Sequence, residues 1–287
     1  MRVQRVAYRS INRALSAFHL QIVPINLDFE EFPSNETIRI ALFQEMAACA
    51  EEWLGKQDCF QAVGFDIQVM VKEFLSFYLK SPFRKPDGGS RFNNLLWLAI
   101  IARAYNPAII VDSGTFMGAS AAALKFGAPH AEVWSFDIDL SRIGLRIPGV
   151  EYREHDWTGH DFGARAGQRT LVYFDDHLDQ ARRLLEAQER NFDLAIFDDD
   201  FPVVPALAMA HGGMALPKIE FVLNDQLRGE KEIVWKSKGR TFRWPVDAAY
   251  LDRARAAIVS TCRFPNTSLL TGLHQTPYRI VKMQPNS

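Results

Sequence analysis

The spacing of apolar positions changes character near residue 90. Before that point the chain reads as helical. Val3, Val6, Ile11, Leu15 and Phe18 recur near the helical period, with Arg2, Arg5, Arg9 and Arg13 among them. Asn35-Glu36-Thr37 has the composition of a second helix start, and Gln68 to Leu79 repeats the period as a third helix. The run from Ser81 to Arg91, with Pro82, Pro86, Gly88 and Gly89, then breaks the pattern. Residues 1–90 are therefore expected to form an N-terminal helical extension, and residues 91–287 the main domain.

Beyond the break, short apolar runs alternate with helical ones. Helices are predicted at Asn93–Tyr105, Ala119–Phe126 and Leu178–Arg190, and strands at Ala108–Val111, Glu132–Phe136, Val150–Tyr152, Leu171–Phe174 and Asp193–Phe197. Apolar strands separated by helices predict an α/β fold, a Rossmann-like, doubly wound and mostly parallel sheet covered on both faces. Thr267–Leu273 and Tyr278–Met283, joined by His-Gln-Thr-Pro, predict a C-terminal antiparallel hairpin. The stretch 201–266 is longer than a crossover needs and is expected as a lid insertion. It carries the aromatic and basic run from Trp235 to Trp244, which suits a sugar or an anionic group and equally a packed surface loop.

Composition narrows the function classes. Lys plus Arg number 33 against 34 Asp plus Glu, a formal charge of −1, so no nucleic-acid partner is expected. The 48% apolar content excludes a disordered chain. Cys49, Cys59 and Cys262 fit neither a disulfide framework nor a zinc site, which points to a reducing, cytoplasmic setting. No apolar run has the length of a transmembrane segment, and the first residues lack the apolar core of a secretory signal. The basic segment 2–18 is compatible with weak contact at a membrane surface, and also with a solvated arginine face on a docking helix. A homo-oligomer is left open.

The candidate chemistry lies at the strand ends. In an open parallel sheet, ligands bind beyond the carboxyl ends of the strands near the switch point. Each predicted strand ends in acid: Asp112, Asp137 with Asp139, Asp156, Asp175 with Asp176, and Asp198 to Asp200. The loop Asp112-Ser113-Gly114-Thr115-Phe116-Met117-Gly118 spaces its glycines as Gly-x-x-x-Gly, with bulky Phe116 and Met117 between them. A dinucleotide fingerprint would read Gly-x-Gly-x-x-Gly, so this loop suits a ligand without pyrophosphate, such as S-adenosylmethionine (SAM). Asp137, 19 residues after Gly118, stands where a carboxylate accepts from ribose hydroxyls. Asp156 is placed to accept from an adenine amino group, and Trp157 to pack on the ring.

These residues resemble the catechol and caffeoyl-CoA O-methyltransferases, within the class I SAM-dependent superfamily, over residues 95–225. The first motif of that family, acid-x-Gly-x-aromatic-x-Gly-x-Ser, reads here as Asp112-Ser113-Gly114-Thr115-Phe116-Met117-Gly118-Ala119-Ser120. The apolar run ending in Asp-His is matched by Val172 to His177, and the Asp-Asn pair by Asp199-Asp200. The resemblance implies SAM on Asp112, Gly114, Thr115, Phe116, Gly118, Ser120 and Asp137, to which the positional reading adds Asp156 and Trp157. It also implies Mg²⁺, or another divalent cation, on Asp176, Asp199 and Asp200, with Asp176 thereby joining catalysis. Two or three carboxylates suffice for a hard cation that keeps several waters, and such a cation would lower the pKa of an acceptor hydroxyl. The implied reaction is methylation of a hydroxyl on a small molecule or sugar.

The sequence departs from the family at two places. The family's catalytic lysine falls two residues after the His, where this chain has Asp179, and Asp-Asn has become Asp-Asp. His177 is the alternative general base, since histidine titrates near neutrality; a loop-bonded residue at a helix start is the other reading. His155 and His160, flanking Asp156, are read as structural or exposed rather than as zinc ligands. A methyltransferase-fold binding protein without chemistry is a second functional reading, motivated by the missing lysine. A nicotinamide-dependent oxidoreductase is a third, against which the glycine spacing and the terminal hairpin argue.

Overall fold

The computed structural model describes residue 15 and residues 35–60, 64–84, 89–163, 167–210, 215–237 and 239–285. Apart from Leu15, the basic segment 2–18 lies outside the described residues. Two helices precede the sheet, α1 (Glu36–Leu54) and α2 (Ile67–Lys80). Asn35 and Asp66 cap them, accepting from the backbone N–H of Ile38 and Val69. Next come α3 (Phe92–Tyr105), β1 (Ile109–Ser113), α4 (Ala119–Gly127), β2 (Glu132–Phe136), β3 (Val150–Arg153), β4 (Thr170–Phe174), α5 (Gln180–Glu189) and β5 (Leu194–Phe197). Asn106, at φ 54°, ends α3 in the left-handed region just before Pro107.

After β5 the chain forms the short helices α6 (Val203–Ala210), α7 (Ile219–Leu223) and α8 (Asp225–Arg228). The hairpin of β6 (Glu232–Ser237) and β7 (Arg240–Pro245) follows, and then α9 (Ala248–Ala256). β8 (Ile258–Arg263), the single turn α10 (Ser268–Thr271) and β9 (Arg279–Met283) complete the described chain. The main sheet has the order β3-β2-β1-β4-β5-β9-β8. β1 to β5 run parallel, and β9 lies antiparallel between β5 and β8. The fold is α/β, a doubly wound, Rossmann-like sheet with a C-terminal antiparallel hairpin.

The apolar runs explain why the strands are buried on both faces. Side chains alternate sides, so Ile110, Leu171, Tyr173, Leu194, Ile196 and Ile280 join one core with α1 to α4. Their neighbours Val111, Val172, Phe174, Ala195, Phe197 and Val281 join a second core with α5, α7 and α9. Two expectations need correction. The partner of β9 is Ile258–Arg263, while Thr267–Leu273 forms a helical turn closed by Gly272 at φ 72°. Asn266 supports that turn, its side chain accepting from the Ser268 N–H at 2.9 Å. Part of the stretch read as a lid, residues 258–263, is therefore a sheet strand.

Helices α3 and α4 approach closely because their contact residues are small. A Cβ at Gly127 would lie 2.2 Å from the Ala99 carbonyl oxygen and 2.8 Å from the Ala102 Cβ. Gly127→Ala is expected to push the helices apart and cost about 1–3 kcal/mol, read as a lower urea midpoint with an unchanged slope.

Candidate functional site

The switch point falls at β1, which pairs with β2 on one side and β4 on the other. The loop leaving β1 turns at Gly114 (φ 93°) and Gly118 (φ 88°). A Cβ on Gly114 would sit 2.5 Å from the carbonyl oxygen of Asp175, so only glycine lets this loop lie against the end of β4. Asp112 is fully buried beneath the loop and accepts from the Ser135 hydroxyl at 2.8 Å. Burial pushes its carboxyl up to about 6, against the lowering influence of the Ser120, Ser135 and Thr115 hydroxyls. Thr115 and Ser120 are buried with it. These three residues set the loop from below.

Above the loop opens a cleft of about 470 Å³, lined among others by Ser113, Gly114, Phe116, Asp137, Ile138 and His155. Asp137 braces the loop, its Oδ2 accepting from the Phe116 N–H at 2.8 Å and its Oδ1 from the Asp139 N–H at 3.1 Å. Ile138 next to it is 83% exposed, an apolar wall with nothing over it. The sequence reading missed Ile138; its position after a strand-end acid was the available signal. Asp156 also lines the cleft, but with different partners than expected. Its Oδ1 accepts from the N–H and hydroxyl of Thr158, and its Oδ2 from Arg183 at 2.5 Å. Burial raises this carboxyl, yet the Arg183 and Thr158 donors outweigh it and hold the group well below the usual carboxylate range. Trp157 is a correction: it is fully buried against Phe174 and Phe192, beneath the sheet rather than on the cleft wall.

The expected metal set is not assembled. Asp176 accepts from the Ser113 hydroxyl at 2.8 Å and from Arg183 Nε at 2.7 Å. Asp200 is fully buried and paired with Arg279, and it also accepts from the Glu220 N–H at 2.8 Å. Of the three predicted ligands, only Asp199 remains without an arginine. Asp199 (φ 55°) instead groups with Asp175 and His177 (φ 56°), which offer one ligand atom each within 4.8 Å of one another. His177 is exposed, and its Nδ1 lies 3.6 Å from Asp199 and 3.9 Å from Asp175. Burial, reinforced by mutual repulsion, raises the carboxyl of Asp175 well above its ordinary value and that of Asp198 to about 7. Burial raises Asp199 as well, partly offset by Lys218, His177 and His274.

Two further residues complete the picture. Asp179, where the resemblance places a lysine, caps α5 by accepting from the Arg182 N–H at 3.0 Å, and it accepts from the Tyr250 hydroxyl at 2.8 Å. Lys218, only 1% exposed, lines a small cavity with Asp175, His177 and Asp198. Burial lowers its ammonium pKa, while Asp199, Asp200, Asp198 and Asp175 act in the opposite direction. No sequence motif marked Lys218, because 40 positions separate it from Leu178 and the strand end it reaches.

No family model matches the chain, and no curated protein matches it. Solved structures do resemble it. The O-methyltransferase TomG from Streptomyces achromogenes, involved in tomaymycin synthesis and solved with SAM, is 12% identical. That match covers 84% of this chain and 98% of the other, with a TM-score of 0.40. The Podospora anserina methyltransferase PaMTH1, solved with S-adenosylhomocysteine (SAH), is 15% identical over 89% of this chain and 99% of the other, with a TM-score of 0.38. Values this low carry no residue-by-residue correspondence. The strand order and the loop at 112–118 stand on this chain alone.

Arg183, 2% exposed, joins Asp156, Asp176 and Glu186. Because Asp156 is held low, the stability it contributes is present above its unfolded value, about 3.9, and is lost as pH falls below that value. Arg183→Met is expected to cost about 3 kcal/mol at pH 7, the low end for a broken buried pair, because Asp156 is 37% exposed and screened. The gap to wild type should narrow as pH drops below about 4, in urea unfolding at the two pH values.

Proposed function

We propose that this chain is a SAM-dependent methyltransferase acting on a hydroxyl of a small molecule or sugar. One observation carries the reading. The cleft at the switch point sets the Gly114 backbone, the Asp137 carboxylate and the uncovered Ile138 side by side. A volume of about 470 Å³ is in the range of small-ligand sites. Ile138 offers a face to an adenine ring, and Asp137 keeps lone pairs for the two ribose hydroxyls after serving Phe116 and Asp139. Asp156 retains acceptor capacity for the adenine amino group even with Arg183 in place. Bound SAM would supply a sulfonium methyl carbon open to in-line attack.

The chain's part in the reaction is to place the acceptor and remove its proton. His177 stands exposed at the rim of the cleft, beside Asp175 and Asp199, and is the group proposed to take the hydroxyl proton as the oxygen–methyl bond forms and the methyl–sulfur bond breaks. Asp176, tied to Ser113 and Arg183, holds the end of β4 against the loop instead of meeting the acceptor. The divalent cation implied by the resemblance does not fit its expected ligands, since arginines already occupy Asp176 and Asp200. No step is routed through it. The acceptor is proposed to meet the chain beyond β5, where Trp235 stacks on Phe242 across the β6–β7 hairpin. Among the described residues no helix is long and apolar enough to cross a membrane.

A binding protein on the same fold is the second reading, favoured by Asp179 serving as a helix cap where the resemblance has a lysine. Normal SAH affinity without transfer to a broad panel of hydroxylated acceptors would select it.

Calorimetry with SAM and SAH tests the cofactor directly. Wild type is expected to bind both and to ignore NADH. Asp137→Ala, losing two charge-assisted hydrogen bonds, should bind them on the order of a hundredfold more weakly. Absence of binding to wild type would overturn the proposal.

A further inference from the structure

The ends of β4 and β5 carry Asp175, Asp198, Asp199 and Asp200, a density of acid that in water-poor surroundings is relieved by protonation, by hydrogen bonds or by a nearby cation. Asp200 has Arg279. The other three have no arginine within ion-pair distance among the described residues. What they have is Lys218, the one buried lysine among the described residues, facing the small cavity it shares with Asp175 and Asp198. That cavity holds about 10 Å³, the lower bound for a single water. A hydrated divalent ion has no room in it.

Lys218 is not there by chance of a flexible side chain, because the backbone around it is tied to the same strand ends. Gln180 N–H donates to the Pro217 carbonyl at 3.0 Å, and its side-chain oxygen accepts from the Ile219 N–H at 2.9 Å. The Gln180 amide nitrogen donates to the Asp198 carbonyl at 2.6 Å. The Glu220 N–H donates to Asp200 at 2.8 Å. Three of these hydrogen bonds hold residues 217–220 against Gln180 and Asp200, the fourth ties Gln180 to Asp198, and together they fix the lysine beside the small cavity. His177 and His274 are the other titratable cations influencing Asp199, and His177 is exposed to solvent.

We propose that Lys218 is a built-in counter-ion that takes the place of a divalent metal at the ends of β4 and β5. The position two residues after His177 has become a helix cap, and a buried ammonium from a different segment of the chain shares a cavity with Asp175 and Asp198, too far for a direct ion pair. For methyl transfer this consequence rests on the reading above: the acceptor hydroxyl would give its proton to His177 in the cleft, with a fixed lysine behind the strand ends and no exchangeable cation. The charge balance itself does not rest on that reading.

The test uses Mn²⁺ alone, followed by its paramagnetic resonance signal, with neither SAM nor acceptor present. Wild type should bind no more Mn²⁺ than Asp199→Ala does. Lys218→Met, leaving the acids without their cation, should bind Mn²⁺ at least about tenfold more tightly than wild type, a change of about 1.4 kcal/mol. It should also gain melting temperature when Mn²⁺ is added, where wild type does not. Mn²⁺ binding by wild type about tenfold tighter than by Asp199→Ala overturns the proposal, and so does a folded Lys218→Met variant that binds no more than wild type. Should that variant fail to fold, the comparison of wild type with Asp199→Ala decides alone. Since no cofactor enters, failure here is separate from failure of SAM binding.

Discussion

Arg183 is the group on which the candidate site depends. It rises from the first turns of α5 with almost no exposure, and its three nitrogens reach the end of β4, the loop beyond β3 and Glu186 on its own helix. A guanidinium presents donors in a fixed fork, which a lysine could not do from the same position. By holding Asp156 and Asp176 at once it ties the loop beyond β3 to the end of β4, strands that the sheet order separates by β2 and β1, and so braces the cleft across its width. Ser113 extends the same chain of contacts to β1 through Asp176. The cleft floor is therefore a charged network with its partners satisfied, and it costs little to keep only because every member has its donor or acceptor.

The same network decides which acids are left for chemistry. Of the acids at the carboxyl edge, Asp112 lies under hydroxyls, Asp156 and Asp176 are taken by Arg183, and Asp200 by Arg279. Asp175 and Asp199 are left beside His177, and Lys218 shares a small cavity with Asp175 and Asp198. A row of identical residues at equivalent strand ends thus divides into structural and chemically available members according to which arginine lies within reach. The division is a matter of tertiary reach and not of residue type.

Much of the architecture could be read from the residues because it rests on local pattern. β2 falls where its apolar run predicts, β3, β4 and β5 differ from prediction by one residue at one end, β1 by one residue at its start and two at its finish, and Asn35 caps α1 as its composition suggests. The loop at Gly114 could be read for the same reason, since positive φ and close approach leave glycine no substitute. Where several runs compete for one partner, pattern falls short. Thr267–Leu273 is as strand-like as Ile258–Arg263, yet Asn266 and Gly272 turn it into a helical turn and leave the pairing with β9 to the earlier segment. Trp157 is aromatic and adjacent to a strand-end acid, but the direction of its ring is fixed by Phe174 and Phe192, which are distant in sequence. Lys218 and the two arginines that claim Asp176 and Asp200 are likewise contacts between distant segments. No spacing rule contains them.

Gly114 has a consequence for tracing the ancestry of this chain. Its missing side chain is a steric requirement set by the Asp175 carbonyl, so the requirement persists as long as the β1 loop touches the end of β4, whatever becomes of the surrounding residues. Phe116 and Met117, between the two glycines, answer to different neighbours, Phe116 to the cleft and Met117 to the main core. A glycine held in place by a backbone oxygen 2.5 Å from where its Cβ would be is a landmark that erosion of the rest leaves standing.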